Sequence, residues 1–349
     1  MSKYYTRVCN FYYGKISKEK VKKKLSIPLH GNNLISFDEI EILTRKKCKR
    51  IKIKKISALK RSLKKKILID LEKISKKKTL KGLKFSNLPI LMGILNLTPN
   101  SFSDGGKYNK KNLGEHHAKK LIKDGCGILD IGGEATNPGS KEVPINEEWK
   151  RVYPTLLKLK RLKTFISLDT RKSIIMKKGI KNKISLINDI SGLEHDDETI
   201  KVLKESKIPF VIHHIQGNPT TMQRNPKYSN VIFDIYDFFE EKILFLRSKG
   251  IRHNNIILDP GIGFGKNLKH NITLLRNISI FHSLGFPVML GTSRKKFIKD
   301  LSGDNDSKER LGGTISSSLC AIMQGVQILR VHDVNEIKQS IKVFNSLKF

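Results

Sequence analysis

The sequence predicts an α/β protein, a (β/α)8 barrel with a basic N-terminal extension. Three observations carry that expectation. From about residue 88, short apolar runs rich in branched residues alternate with amphipathic helical patterns. There are eight such runs in about 260 residues, the size and rhythm of a closed parallel barrel. Nearly every run ends in an amide or a carboxylate set among glycines. The expected division is residues 1–85 for the extension and 86–349 for the barrel.

Taken in order, the runs are Leu91–Leu97, Ile128–Ile131, Phe165–Leu168, Leu186–Ile190, Phe210–Ile215, Ile256–Leu258, Val288–Leu290 and Ile328–Val331. Most are apolar on both faces, as strands of a fully covered parallel sheet must be. Between them, Trp149, Val152 and Leu156 share one helical face. Ile232, Tyr236, Phe239, Ile243 and Leu246 share another, in a helix ending near Lys249-Gly250. A last helix is expected to begin near Asn335. No Gly-x-Gly-x-x-Gly turn follows the first run, which counts against a dinucleotide-binding open sheet.

The extension is set apart by charge. The 349-residue chain has a formal net charge of +36, and +21 of it lies in residues 1–85, which hold 27 of the 68 Lys and Arg but only 6 of the 32 Asp and Glu. Three readings fit that segment: an eroded small domain, a packing extension, or a basic arm. Its apolar patch Leu34–Leu43 fits a strand or a short helix. Lysine accumulating with isoleucine and asparagine points to codon bias acting on solvated positions. A nucleic-acid-binding arm would interleave aromatics for stacking, and residues 44–85 contain only Phe85, so nucleic acid is not an expected partner. A moderately basic body does favour anionic substrates. No apolar run approaches eighteen residues, so no membrane span is expected. The N-terminus has no secretory h-region and is Lys-rich rather than Arg- and Ser-rich. Cys9, Cys48, Cys126 and Cys320 have no metal-binding spacing, and three of them are expected to be apolar packing residues; a reducing, cytoplasmic compartment follows.

The strand ends carry the chemistry. They read Asn96-Leu97-Thr98-Pro99, Asp130-Ile131-Gly132-Gly133-Glu134, Asp169-Thr170, Asn188-Asp189, His213-His214-Ile215-Gln216-Gly217, Asp259-Pro260-Gly261, Gly291-Thr292-Ser293-Arg294-Lys295 and Arg330-Val331-His332-Asp333. In a barrel these points meet at one mouth. One Asp or Asn at a strand end is ordinarily a helix cap or a turn residue; eight polar ends together are not. Asp169, Asn188 and Asp259 suit a flat heterocycle bearing amino and oxo groups, and Lys295 adds a point charge. Arg330 and His332 stand where such barrels bind phosphate. Asn96 offers a neutral oxygen suited to Mg²⁺.

The runs Leu91 to Gly106, Asp130 to Glu134, Asp259 to Lys266, Thr292 to Lys295 and Arg330 to Val334 closely resemble the dihydropteroate synthases, in family order, over about residues 88–349. The resemblance implies condensation of dihydropterin-methyl diphosphate with 4-aminobenzoate, releasing diphosphate, in a homodimeric enzyme. It implies that Asp169, Asn188, Asp259 and Lys295 hold the pterin, with Ile215 in place of a frequent methionine nearby. It further implies Asn96 on Mg²⁺, Thr136, Arg330 and His332 on the diphosphate, and Phe102 and Phe264 at the aminobenzoate. Asp259, Lys295 and Arg330 are the catalytic candidates. The chain departs from the family at Ala135, Asn137 and Lys296, where a hydroxyl, a cation and a small hydroxyl residue are usual. A pterin-binding methyltransferase would share the barrel and the Asp/Asn pocket, but would not need both the Ser-Arg-Lys and Arg-x-His-Asp segments.

Overall fold

Why the eight runs pair side by side follows from their two apolar faces: each strand must be covered by a helix outside and by other strands' side chains inside. The computed structural model describes residues 3–83, 85, 89–98, 113–136, 139–162, 164–303 and 305–348. The chain opens with β1 (Tyr5–Tyr13), α1 (Gly14–Lys22), β2 (Ile27–Leu29), β3 (Asn32–Leu43), β4 (Cys48–Lys52) and, after a 3-10 turn, α2 (Arg61–Ser75). The barrel follows: β5 (Ile90–Asn96), α3 (Leu113–Asp124), β6 (Ile128–Gly132), α4 (Ile145–Leu159), β7 (Phe165–Asp169), α5 (Ser173–Lys181), β8 (Leu186–Asp189), α6 (Thr199–Ser206), β9 (Phe210–His213) and α7 (Val231–Ser248). It closes with β10 (Ile256–Asp259), α8 (Leu268–Arg276), a 3-10 segment (Ile278–Leu284), β11 (Met289–Leu290), α9 (Lys296–Ser302), α10 (Leu311–Ile322), β12 (Ile328–Val331) and α11 (Val334–Lys348).

The eight-stranded sheet runs β10-β9-β8-β7-β6-β5-β12-β11, all parallel. A bridge between Leu258 and Val288 brings its ends together, so the sheet is a nearly closed barrel. Strand register sets the side chains in layers. Ile90, Met92, Ile128, Leu186, Val211, Ile257, Met289 and Ile328 form an apolar layer toward the N-terminal ends of the strands. Leu80, Leu83, Phe85 and Phe165 pack onto that layer as a floor. Leu80, Leu83 and Phe85, at the end of the basic segment, thus pack with the barrel.

Residues 5–75 form a folded unit. β1, β2 and β4 all pair antiparallel with β3, and Val8, Leu29, Phe37, Ile40, Ile67 and Ile74 fill a core between this sheet and α2. Leu34–Leu43 is thus strand. Its pattern left strand and short helix both open because Ile35, Ser36 and Phe37 are buried in succession, so period-two alternation holds only from Ile40 onward. The unit docks against the barrel through Tyr5. Its ring stacks on Phe233 at 4.4 Å, and its hydroxyl donates to Asp237 at 3.0 Å. Lys3 and Arg45 pair with Asp237 at 2.6 and 2.7 Å. The basic excess is therefore partly matched by acids of α7.

Of the cysteines, Cys126 alone is buried, while Cys48 and Cys320 are exposed; the expectation of three packed thiols fails because β4 lies at the sheet edge and Cys320 on the outer face of α10. All four are free thiols. Among the described residues no helix is long and apolar enough to cross a membrane.

Candidate active site

At the C-terminal ends of β5 to β12 lies a cavity of about 500 Å³. Asn96, Thr136, Asn188, Asp259, Phe264, Lys295, Arg330 and His332 all line it. Residues separated by more than two hundred positions therefore share one space. Phe102 lies outside the described residues.

The depth of the cavity is organised by one guanidinium. Arg330, at the end of β12, donates through Nε to Asp130 Oδ2 at 2.7 Å and through Nη2 to Asp169 Oδ2 at 2.7 Å. Asn188 Nδ2 donates to the same Asp130 oxygen at 3.1 Å. Asp169 is thus set behind Arg330 and is not part of the lining, and Asp130, named only as a strand end in the sequence, is a keystone of the site. Burial raises the Asp169 carboxyl above its ordinary range; Arg330 opposes that and the neighbouring Asp130 carboxylate adds to it. Among the described residues, Thr98 Oγ1, Asp130 Oδ1 and Asn188 Oδ1 are buried without a hydrogen-bond partner. Thr98 and Asn188 line the cavity, and unpaired polar atoms on a cavity wall are where a polar ligand completes the pairing.

Asp259 ends β10, and Pro260 to Gly265 turn the chain sharply under it. Asp259 Oδ1 accepts from the Gly261 amide at 2.8 Å. Gly261 has φ +69° and a side chain there would meet His214 O at 1.9 Å; Gly265, φ +61°, would meet Gln216 O at 2.6 Å. Only glycine allows this turn. The turn seats Phe264, whose ring carries Lys295 Nζ at 4.1 Å and the edge of His213 at 4.5 Å. Beneath it, buried Lys266 donates to Phe264 O at 2.9 Å and meets His214 Nδ1 at 2.9 Å. Burial pushes Asp259 up, against the turn amide and the nearby cations, and pushes Lys295 down to about 8, against the pull of Asp259.

At the rim, His332 Nδ1 lies 3.0 Å from Ser293 Oγ. Burial, reinforced by Arg294, Arg330 and Lys295, holds the imidazole well below its usual range, so it is neutral at pH 7. Arg294 Nε donates to Asp333 Oδ2 at 3.0 Å, tying the loop after β11 to the start of α11. That helix begins at Val334, one residue before the position expected from sequence.

Ile215 does not reach the cavity. It packs behind Ile190, Met222 and Phe264, and those three present the apolar wall. His213, Lys299 and Arg310 also line the cavity and were not singled out in the sequence. His213 stood at a strand end and was legible as such. Met222 and Arg310 come from loops and turns with no periodic signal, and only tertiary convergence reveals them. Buried Arg310 donates to Arg294 O at 3.0 Å and Asn305 O at 2.6 Å.

A parallel barrel with a polar, cationic cavity at the strand C-termini defines an enzyme of the barrel class with its site at the barrel mouth. The pterin binding enzyme family model matches residues 92–332. Dihydropteroate synthase from Synechocystis sp. is 41% identical over 258 residues, covering 74% of this chain and 89% of the relative. The Escherichia coli K12 enzyme of that name is 41% identical over 256 residues, covering 73% and 90%. Among solved structures, Yersinia pestis dihydropteroate synthase with a sulfonamide drug superposes with a TM-score of 0.74 at 37% identity, covering 77% of this chain and 98% of that one. The Thermus thermophilus synthase with 4-aminobenzoate gives 0.67 at 34%, covering 76% and 96%. The chain belongs to the pterin-binding enzymes and, among them, to the dihydropteroate synthases. It is a transferase of folate biosynthesis, and the methyltransferase reading is not retained.

Proposed function

We propose that this cavity condenses (7,8-dihydropterin-6-yl)methyl diphosphate with 4-aminobenzoate by a dissociative substitution. The observation that carries the reading is the meeting of Asn188, Asp259, Lys295, Arg330 and His332 around one 500 Å³ space. The pterin lies deep, against Asn188, Asp259 and Lys295, with Asp169 holding Arg330 in place behind it. The diphosphate lies toward Thr136, Arg330 and His332, and the aminobenzoate toward Phe264 and the rim.

As the methylene carbon–oxygen bond breaks, its electron pair leaves with the diphosphate. Arg330 stabilises that charge, and neutral His332 donates a hydrogen bond. Asp259, in a dry pocket, stabilises the electron-poor pterin methylene. The aminobenzoate nitrogen then forms the new carbon–nitrogen bond and releases its proton. An arylamine needs no strong general base, so no triad is required.

Asn96 lines the cavity beside Thr98 and supplies one neutral oxygen, and no group of three or more His, Cys, Asp or Glu that could hold a metal occurs among the described residues. That donor set fits Mg²⁺, which keeps waters and takes substrate phosphates. When bound, the ion would neutralise diphosphate charge. Lys296 and Lys299 line the rim and suit a carboxylate. The exposed apolar residues Leu301, Val343 and Leu347 on α9 and α11 support a homodimer, checked by light scattering of the purified chain. Free thiols support residence in a reducing cytoplasm.

The test is a coupled assay for diphosphate release in the purified full-length chain. Release should require 4-aminobenzoate and fall on chelation of Mg²⁺. Release independent of 4-aminobenzoate would overturn the reading.

A further inference from the structure

The loop between β6 and α4 is fastened at its two ends by ionised side chains that the catalytic reading does not use. Glu134, buried at the start of the loop, accepts through Oε1 from the Val143 amide at 3.0 Å, so the loop's ends are pinned together. Arg171, in the turn after β7, donates to both Glu134 oxygens, at 3.0 Å from Nη2 and 3.2 Å from Nε. The same Nη2 lies 3.7 Å from Oε2 of Glu142, at the other end of the loop. Lys172 bridges Glu134 at 3.0 Å and the fully buried Glu148 at 2.8 Å, and Glu148 accepts from Thr170 at 2.6 Å. His195 closes the outer side, 3.3 Å from both Glu142 and Arg171.

The two cations differ in what they hold. Lys172 spreads its charge over three acids, the loop's Glu134 at 3.0 Å and Glu142 at 4.0 Å and, at 2.8 Å, Glu148, through which it ties α4 to the barrel as a fold contact. Each acid that Arg171 meets, Glu134 and Glu142, belongs to the loop. Glu134, Ala135 and Thr136 line the cavity. The planar fork of an arginine can serve two carboxylates at once, which a lysine ammonium cannot do with the same geometry.

Resting on the synthase reading, we propose that Arg171 is a positioning residue: by clamping both ends of this loop it sets Thr136 against the diphosphate of the pterin substrate. Arg171 touches no substrate itself. Its effect therefore belongs to the diphosphate half of the ligand and not to the pterin half.

The experiment compares Arg171→Ala, Arg171→Lys and Glu142→Gln with the parent full-length chain. Calorimetric titration uses hydroxymethyl-dihydropterin diphosphate and the same pterin without its diphosphate. Arg171→Ala should weaken the diphosphate form about 10-fold, a loss expected from misplacing one binding group, and leave the bare pterin within about 2-fold. KM for the diphosphate substrate should rise by the same factor with kcat nearly constant. Arg171→Lys should recover part of the loss. Glu142→Gln, on an exposed side chain, should shift affinity in the same direction by less, and it decides the matter if Arg171→Ala folds poorly. Equal weakening of both ligands, or no change in either, would overturn the proposal. Parent protein that binds the diphosphate but never releases it on adding 4-aminobenzoate would overturn the synthase reading and leave the clamp standing.

Discussion

Asp259 and Lys295 face each other across a buried pocket, and burial drives them in opposite senses, the acid up and the base down. Two predictions follow from that pair. Asp259→Asn keeps the shape and the acceptor for the Gly261 amide but removes the charge proposed to face the pterin methylene. It should lower kcat by about 10² to 10³, the range seen when one preorganised electrostatic group is lost, while the melting temperature stays near that of the parent. Stopped assays and calorimetry on the same preparation check this, and unchanged turnover would exclude the role. Lys295 carries its charge below about pH 8 and loses it above. The kcat/KM profile should therefore fall on an alkaline limb near pH 8. Lys295→Arg, whose guanidinium stays charged, should move that limb beyond pH 10. A limb that stays near 8 in the variant belongs to another group.

At the scale of elements, the strands were legible because all-parallel strands are apolar on both faces and end in loops that must be polar. All eight expected runs correspond to β5–β12, most of them with ends shifted by one or two residues. Site residues borne on strand ends were legible for the same reason. Met222 and Arg310 were not, since no local pattern tells which loop side chain will reach a distant strand end. Nor was the partnership of Arg330 with Asp130 and Asp169, which depends on register across β12, β5, β6 and β7. The seam between the N-terminal sheet and the barrel was also invisible in sequence. There, His30 from the β2–β3 turn meets His282 edge to face at 4.5 Å. His282 Nε2 donates to Gln324 O at 2.7 Å, and His30 pairs with Gln327. Burial holds both imidazoles below their ordinary range, His282 at about 4, with buried Lys78 adding to the drop. A depressed pKa contributes stability that is fully present above the unfolded value of about 6.5 and is lost as pH falls through the folded one. Acidification from pH 7 to 4 should then remove roughly 3 kcal/mol through His282 alone. Denaturant titrations across that window should show it, and His282→Gln should flatten the dependence; an unaltered slope in the variant would refute the assignment.

For the whole molecule, the decisive arrangement is a barrel stoppered at its N-terminal end by Leu80, Leu83 and Phe85, with the cavity at the other. Opening that stopper with Leu80→Asp buries an unpaired carboxylate and should destabilise the fold by several kcal/mol, on the order of 3 to 5. Chemical denaturation measures the loss, and a parental midpoint would mean the floor is not sealed there. Such a vessel is a cul-de-sac. Whatever rests at its end has to arrive before anything lodged nearer the doorway, and departs after it. Bisubstrate kinetics should accordingly be sequential, with the bicyclic partner first aboard and diphosphate discharged ahead of the coupled product.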